Sequence, residues 1–378
     1  MMLLTDATVW VQEQWCANMS IRVEDGCVAA LGAGLAAREG ESVISLEGDY
    51  LLPGFVDVHI HACQGHDAMQ GEAALRAMSR ALYQAGVAAF LPTTMSAPPA
   101  DTRRAMEAIR AVMTHPEARG AQVLGAHMEA PFLQSTRAGA QQAAWLQNPD
   151  WTAFCDMAGD MHTVRIVTIA PELPGAEAFI RRVAEAGVTV SLGHTAATAE
   201  QTHLAADWGA THVTHTFNAQ SPLNHRAPGV PGAALVDDRL YAEVIADGVH
   251  LHADVVKLLC RAKGSRRAVA ITDAMEAAGM PDGSYTLGGQ AVTVRAGEAR
   301  LADGTLAGSV LTMPQALHHL IHHFGIAPAD AVRMCTETPA ASIGEQVLGR
   351  MAVGSPVPLT RWSKDWQYKG IVDENIGG

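Results

Sequence analysis

The sequence lacks several features that mark whole classes of protein. Its 378 residues include only six cysteines, and these are scattered with no C-x-x-C pair. A chain of this length needs no disulfide to fold, so we interpret the cysteines as reduced thiols of a cytoplasmic protein. No apolar run approaches the ~20 residues of a membrane span, and the N-terminus lacks the basic and apolar segments of a signal peptide. We therefore expect no contact with a membrane.

Positive charge is also scarce. Lys and Arg number 26 against 39 Asp and Glu, which gives a formal net charge of −13. This balance argues against non-specific nucleic-acid binding, because such binding depends on Lys and Arg that neutralise phosphates. It does not argue against a small anionic substrate, because one local Arg can outweigh the field of the whole chain. Apolar residues make up 48% of the sequence, so the chain can bury a sizeable core.

Short apolar runs of strand character alternate with helical stretches through the middle of the chain. The helical stretches include 71–85, 101–114 and 176–186. Strand–helix alternation implies parallel pairing, and eight such units predict closure into a (β/α)8 TIM-like barrel. The eight predicted strands lie at 55–61, 87–94, 122–131, 164–171, 188–195, 212–218, 241–248 and 267–275.

The segments on either side of this α/β barrel predict a smaller domain. Residues 1–50 alternate apolar and polar positions over short runs, which is typical of antiparallel strands, and a similar pattern returns after residue 283. We therefore expect a small β-sandwich built from the N- and C-terminal segments. The predicted division is 1–50 for the first part of the sandwich, 51–283 for the barrel, 284–311 for the second part of the sandwich, 312–345 for helices packed on the barrel, and 346–378 for the end of the sandwich and a tail.

His59 and His61 stand at the end of the first predicted barrel strand. Side chains at positions i and i+2 of a strand share one face, so the two imidazoles can coordinate one metal ion. The alternative is a pair of ordinary polar residues leaving the sheet, and a motif this short does not decide between the two.

Further candidates follow other predicted strands. Glu129 ends the third strand, His194 the fifth, His215 the sixth and Asp273 the eighth. Glu129, His194 and His215 taken alone each favour a structural role, and we assign such a role to His212 and His203. Taken together, however, these strand ends meet at one rim of a barrel, where catalytic groups gather.

Nitrogen and carboxylate ligands without thiolates suit Zn²⁺, Fe²⁺, Co²⁺ or Mn²⁺. An Asp beside a metal-bound water is a natural general base, because the metal lowers the pKa of the water to ~7. The set of Asp273 and five potential ligands therefore indicates metal-assisted hydrolysis of an unactivated bond such as an amide.

An ordered set of motifs makes the interpretation more specific. With these segments the sequence resembles the amidohydrolase superfamily, and within it the N-acetylhexosamine-6-phosphate deacetylases, chiefly the N-acetylglucosamine-6-phosphate deacetylase family. The segments run in the family's order from residue 53 to residue 309 and read PGFVDVHIH, HMEAPF, SLGHTAAT, THTFNAQSPLNHRAPG, ADGVHLH, ITDAMEAAGMPDGSY and LAGS.

The resemblance implies a role for each matching residue. Glu129, His194 and His215 match the principal metal ligands, and His59 with His61 match a pair that helps to hold a second ion in the members that possess it. One or two divalent ions per subunit are expected, zinc first, with iron, cobalt or manganese as alternatives. Asp273 matches the catalytic acid and base. Matches to the sugar and phosphate pocket are Asn218, Ala219, Ala307, His250 and Arg226, and the Arg reaches in from a neighbouring subunit in the family, which implies a homodimer.

The chain departs from the family at several positions of the substrate pocket. Ala62 and Ala130 each replace a usual Gly, and Gln220 replaces a usual Met. Gln141 stands where the family places a His that binds and polarises the substrate amide. Gln141 can still donate a hydrogen bond but carries no charge, so we expect weaker amide activation or an altered substrate.

Three hypotheses remain open on the sequence. The first is deacetylation of an N-acetylhexosamine 6-phosphate, with the galactosamine sugar nearly as well matched as the glucosamine sugar. The second is an amidohydrolase that acts on another N-acyl amine or a cyclic amide. The third is a sugar-phosphate binder without activity, which Asp273 beside a complete ligand set disfavours.

Overall fold

The chain begins with five strands that precede the barrel. The structure is a computed structural model, and it describes residues 1–372. Apolar and polar residues alternate along the longer of these strands, so that one face packs on a local core. The strands are β1 (Met2–Val11), β2 (Gln14–Glu24), β3 (Cys27–Ala33), β4 (Ser42–Ser45) and β5 (Tyr50–Leu52).

The barrel follows, and its eight parallel strands confirm the predicted fold class within the described residues. The strand predicted at 122–131 is divided into two short pieces at Gly125, where a Cβ atom would lie 2.7 Å from the carbonyl oxygen of Thr163. Two further short strands form a hairpin after the first barrel strand. The strands of this region are β6 (Phe55–Ile60), β7 (Ala62–Cys63), β8 (His66–Asp67), β9 (Val87–Thr94), β10 (Gln122–Val123), β11 (Ala126–Met128), β12 (Val164–Ile169), β13 (Thr189–Leu192), β14 (Ala210–Val213), β15 (Tyr241–Ile245) and β16 (Ala268–Ile271).

The barrel strands run in the order β6, β9, β11, β12, β13, β14, β15 and β16. Where the barrel closes between β16 and β6, the backbone N–H of Asp273 donates to the carbonyl oxygen of His59 over 2.9 Å. All eight residues of β9 are buried, as expected for a parallel strand covered on both faces. The helices that cover the outer face are α1 (Glu72–Gln84), α2 (Pro99–Thr114), α3 (Trp151–Ala158), α4 (Ala176–Glu185), α5 (Ala199–Trp208), α6 (Gly229–Val236) and α7 (Ala253–Lys263).

The strands after residue 283 correct one prediction. They were expected to form the second part of the β-sandwich over 284–311, but they make a separate antiparallel sheet of three strands. The physical reason is their apolar face, since Leu287 and Val292 pack against Met95 and Met275 near the rim of the barrel rather than on the N-terminal sheet. The strands are β17 (Gly283–Leu287), β18 (Gln290–Arg295) and β19 (Glu298–Arg300).

The C-terminal part returns to both larger units. Helices α8 (Met313–His322), α9 (Pro328–Cys335) and α10 (Glu337–Ser342) pack on the barrel strands β6 and β16. Strand β20 (Leu359–Trp362) then pairs with β5, and β21 (Tyr368–Val372) pairs with β20. The predicted small sheet domain built from both ends of the chain is thereby confirmed, and residues 373–378 of the predicted tail lie outside the described residues.

The described helices also bear on the membrane. None of those in residues 1–372 combines the length and the apolar character needed to cross a lipid bilayer.

Candidate active site at the carboxyl rim of the barrel

The five predicted metal ligands converge at the carboxyl ends of the barrel strands. Glu129 lies at the centre, with its Oε1 3.2 Å from His194 Nε2 and 3.1 Å from His215 Nε2. Its Oε2 lies 3.3 Å from His61 Nε2, and His59 Nε2 lies 3.4 Å from Oε1. All five side chains are buried.

These ligands form two overlapping groups. One consists of Glu129, His194 and His215, and the other of Glu129, His59 and His61; within each group the donor atoms lie within 4.8 Å of one another. Because Glu129 belongs to both, the geometry accommodates one ion or two.

Two features of the donor atoms fit a cation. His59 Nε2 is buried and has no hydrogen-bond partner among residues 1–372. His194 Nε2 and His215 Nε2 lie 3.1 Å apart, so two imidazole nitrogens point at the same place. A divalent ion between such nitrogens and a carboxylate would use their lone pairs, and the nitrogen and oxygen donors suit Zn²⁺ and its first-row neighbours.

Backbone carbonyls orient two of the histidine rings through Nδ1, the ring nitrogen that faces away from Glu129. His61 Nδ1 lies 3.2 Å from the carbonyl oxygen of Thr93, and His194 Nδ1 lies 2.9 Å from that of Arg137. An imidazole that donates its Nδ1–H to an oxygen presents the Nε2 lone pair on the other side. These two backbone carbonyls therefore direct Nε2 toward Glu129.

Asp273 completes the group. Its Oδ1 lies 3.2 Å from His61 Nε2 and 3.5 Å from His59 Nε2. Burial raises the pKa of Asp273, but the opposing His59 and His61 outweigh it and lower the pKa to about 2. The carboxylate is thus ionised at neutral pH and able to accept a proton.

The backbone is bent sharply where three of these residues leave their strands. His194, His215 and Asp273 have φ angles of 47°, 26° and 48°. Positive φ is uncommon for residues other than glycine, and such strained positions cluster at functional sites. Gly193 allows the turn before His194, because a Cβ there would lie 2.7 Å from Thr214 Cβ.

The carboxylates dominate the electrostatics of the ligand set. Burial lowers the pKa of His59, but Glu243, Glu129 and Asp273 outweigh this effect and raise it to about 9. Burial raises the pKa of Glu129, yet the facing histidines hold it well below its usual value. Three carboxylates around the rings therefore favour positive charge, either as protons or as a metal ion.

A cavity of about 360 Å³ opens onto these groups. Four of the residues predicted to contact substrate line it: Gln141, Asn218, Ala219 and His250. Ala307 is fully buried between Leu306 and Gly308, which line the cavity while it does not. Arg226 lies on an exposed loop and is not part of the lining of this single chain.

Gln141 uses its side-chain amide on protein atoms. Its Oε1 accepts a hydrogen bond of 2.7 Å from the backbone N–H of Ser96, and its Nε2 donates to Glu129 Oε2 over 2.6 Å. Nε2 also lies 3.5 Å from Met95 Sδ. One N–H of the Gln141 amide is therefore directed at Glu129, and its contact with a substrate stays a prediction.

His250 is held by an acid of its own loop. Its Nδ1 lies 2.6 Å from Asp247 Oδ2, and Asp247 Oδ1 accepts the backbone N–H groups of Val249 and His250. This leaves Nε2 of His250 available to the cavity that it lines. Neither histidine assigned a structural role lines the cavity: His212 is buried beside Glu243, and His203 pairs with Asp237.

Sequence reasoning missed two residues of the site. Arg137 lines the cavity from the end of a single 3-10 turn, Ser135–Arg137, whose sequence shows no apolar pattern. Glu243 contacts His59 from inside β15. The signal for Glu243 was an acid within an apolar barrel strand, since charged residues are rarely fully buried unless paired.

Comparison with known proteins identifies the family of the chain. The profile of the Amidohydrolase family matches residues 50–373. The N-acetylgalactosamine-6-phosphate deacetylase of Escherichia coli O157:H7 is 37% identical, covering 91% of this chain and 90% of its own length. The N-acetylglucosamine-6-phosphate deacetylase of Bacillus subtilis (strain 168) is 36% identical, covering 96% of this chain and 93% of its own length.

Solved structures show the same likeness. The N-acetylglucosamine-6-phosphate deacetylase of Pasteurella multocida superimposes with a TM-score of 0.91 at 29% identity, covering 98% of this chain and 97% of that chain. A variant of the Mycobacterium smegmatis enzyme, in complex with N-acetyl-D-glucosamine-6-phosphate, superimposes with a TM-score of 0.90 at 34% identity, covering 98% of this chain and 97% of that one. The chain belongs to the amidohydrolase family and, within it, to the N-acetylglucosamine-6-phosphate deacetylases.

Proposed function

We propose that the chain hydrolyses the N-acetyl group of N-acetylglucosamine 6-phosphate, giving glucosamine 6-phosphate and acetate. The observation that carries the proposal is the position of Asp273, an ionised carboxylate 3.2 Å from His61 at the edge of two ligand groups that share Glu129. The identity of the substrate is inferred from the enzymes to which the chain is similar. The M. smegmatis structure is described as a complex with this phosphosugar.

The ligand set fits one or two divalent ions per subunit, and we propose zinc, with iron, cobalt or manganese as alternatives. Glu129, His194 and His215 would hold the first ion, and His59 and His61 with Glu129 the second. When bound, the ion supplies Lewis-acid chemistry, which polarises a carbonyl and makes a water molecule more acidic.

Asp273 is the proposed general base and general acid. It accepts a proton as water adds to the acetyl carbonyl carbon. It delivers that proton to the sugar nitrogen as the C–N bond breaks, so that the amine and acetate leave and the carboxylate is restored. The positive charge beside it, whether on the histidines or on a bound ion, lowers the pKa of Asp273 and keeps the carboxylate ionised before the reaction.

The remaining predicted residues suit the sugar and its phosphate. Asn218 and Ala219 line the cavity next to His215, and we assign them to the sugar. Ala307 belongs to the segment that closes over the site, because the N–H of the nearby Ser309 donates to the carbonyl oxygen of Asp273 over 2.8 Å. His250, oriented by Asp247, is assigned to the phosphate.

We propose a homodimer in which Arg226 reaches the neighbouring active site. Arg226 is exposed and lies outside the cavity of its own chain, while Leu223 of the same loop is 44% exposed. A guanidinium fork binds two phosphate oxygens at once, and a subunit contact would cover the exposed Leu223. We also place the protein in the cytoplasm, because all six cysteines, which lie within residues 1–372, are free thiols.

The galactosamine sugar is the second candidate substrate, since the E. coli relative at 37% identity bears that name. The glucosamine sugar is favoured because solved structures with TM-scores of 0.91, 0.90 and 0.87 bear its name. The two sugars differ in the orientation of one hydroxyl group.

Acetate release from the two N-acetylhexosamine 6-phosphates and from the unphosphorylated sugars tests the proposal. Metal content is measured on the same sample. We expect fast turnover of N-acetylglucosamine 6-phosphate and much slower turnover of the unphosphorylated sugars. A metal-loaded sample that releases no acetate from either phosphosugar would refute it and favour an amidohydrolase for another N-acyl amine.

A further inference from the structure

We propose that Glu243 is a positioning residue that joins the two ligand groups by holding His59 and His215 at the same time. The inference rests on the proposed function only in that the site binds a divalent ion. Glu243 contacts no substrate, since it lies beneath the rim and does not line the cavity.

Glu243 occupies an unusual place for an acid. It stands in the middle of β15 (Tyr241–Ile245), and its side chain is fully buried inside the barrel. Burying a carboxylate is costly unless hydrogen bonds compensate for the lost water. The partners of Glu243 therefore show what the residue does there.

The first partner is the ring of His59. Glu243 Oε2 lies 3.0 Å from His59 Nδ1. With the Nδ1 proton directed at this carboxylate, the Nε2 lone pair faces the opposite side, where Glu129 Oε1 lies at 3.4 Å. Glu243 thus fixes both the tautomer and the direction of one ligand, as carboxylates do for metal-bound histidines in general.

The second partner is the backbone of His215. The N–H of His215 donates to the same Oε2 over 2.8 Å, and the N–H of Thr216 donates to the carbonyl oxygen of Glu243 over 3.0 Å. These two bonds hold the bend at which His215 has its φ of 26°. A bend of this kind persists only where its surroundings enforce it.

The Nδ1 side of the His215 ring has no support of its own. Within residues 1–372 this Nδ1 is buried without a hydrogen-bond partner, whereas His61 and His194 each direct Nδ1 at a backbone carbonyl. Apart from the contact of Nε2 with Glu129 Oε1, the direction of the His215 ring therefore depends on its backbone, and so on Glu243. His61 and His194 do not touch Glu243, so each ligand group has one histidine that depends on it and one that does not.

A competing interpretation is that Glu243 is itself a ligand. His59, His127 and Glu243 bring donor atoms within 4.8 Å of one another. Both ring nitrogens of His127 are already engaged, however, because Nδ1 lies 3.2 Å from the carbonyl oxygen of Val58 and Nε2 lies 2.7 Å from Thr168 Oγ1. With no free nitrogen on His127, the geometry favours a supporting role for Glu243.

The test compares Glu243→Leu and Glu243→Gln with the wild-type protein. Leucine removes the carboxylate oxygen that accepts from both His59 and His215, while the amide oxygen of glutamine can still accept from His59 and from the N–H of His215. Zn²⁺ affinity is measured by competition with a chelator, metal stoichiometry by elemental analysis, and the melting temperature on the metal-free proteins. Asp237→Asn serves as the matched control, because Asp237 is also a buried acid that pairs with a histidine, His203, away from the site.

We expect Glu243→Leu to lose roughly 10–100-fold in Zn²⁺ affinity at both ligand groups, the range for supporting carboxylates at metal sites. Glu243→Gln should retain most of the affinity, and Asp237→Asn should keep all of it even if its melting temperature falls. Wild-type affinity in a folded Glu243→Leu protein would overturn the inference.

If Glu243→Leu does not fold, Glu243→Asp takes its place, because a carboxylate one methylene shorter cannot reach both partners. Its Co²⁺-loaded form should show a changed visible absorption spectrum and weaker binding, and an unchanged spectrum with unchanged affinity would overturn the inference. A wild-type protein that binds metal but releases no acetate refutes the proposed function and leaves the Glu243 comparison intact. A wild-type protein that binds no divalent ion refutes both.

Discussion

Gln141 donates a hydrogen bond of 2.6 Å to Glu129, the carboxylate shared by both ligand groups. The backbone N–H of Ser96 holds the other end of the amide at 2.7 Å. Members of the family usually have a histidine at this position, and the resemblance assigns that histidine to the substrate amide. In this chain the amide of Gln141 holds Glu129.

The first prediction concerns this residue. Gln141→His should raise kcat/KM for the natural substrate by roughly tenfold, the effect of one added hydrogen bond to a developing charge. Steady-state kinetics at fixed metal content measure it. Gln141→Leu is the control, which should lower kcat/KM because Glu129 loses a partner. A lower kcat/KM in Gln141→His would show that the amide is already the better group in this pocket.

The second prediction concerns the metal-free protein and pH. The pKa of His59 is raised from 6.5 to about 9, so its protonation stabilises the folded state fully below pH 6.5 and less as pH rises through about 9. His61 shifts in the same direction, whereas His127, with its pKa lowered to about 3, acts in the opposite direction only near and below pH 6.5.

The melting temperature of chelator-treated protein should therefore fall between pH 6.5 and 9. Adding Zn²⁺ should remove that fall, because the ion takes the place of the protons and binds more tightly as pH rises. A metal-free melting temperature that stays level over this interval would contradict the electrostatic description of the ligand set.

The third prediction concerns the subunit contact. Arg226→Ala should raise KM for the phosphosugar by about tenfold or more, because a charge-assisted hydrogen bond contributes ~1.5–3 kcal/mol. Turnover of the unphosphorylated sugar should not change. Mixing Arg226→Ala with Asp273→Asn should restore activity in mixed dimers, since one site then has both groups intact. No recovery on mixing would place Arg226 outside the neighbouring site.

The sequence was sufficient for the barrel and for the convergence of the ligands. Parallel strands bring their carboxyl ends to one rim, so residues far apart in the chain, such as His61 and Asp273, could be placed together by strand order alone. The division into domains remains a prediction apart from the sheet β17–β19, whose position was wrong. Alternation identifies the apolar face of a strand, but it does not identify the surface that this face will cover.

The supporting contacts could not be predicted for a related reason. Glu243 meets His59 across 184 positions of sequence, and Gln141 meets Ser96 across 45. No spacing rule links residues at such separations, and their pairing depends on the exact height of each strand in the barrel. The roles of Arg226, His250 and Ala307 in substrate binding stay predictions as well.

The most direct test of the account is acetate release by Asp273→Asn, with metal content measured on the same preparation. Asparagine keeps the size of the side chain but cannot accept or deliver the proton. The account predicts wild-type metal content and binding of N-acetylglucosamine 6-phosphate, with kcat reduced by about 10²–10⁴-fold, the usual contribution of acid–base catalysis. Wild-type turnover in a variant that retains its metal would contradict the assignment of Asp273, and with it the proposed mechanism.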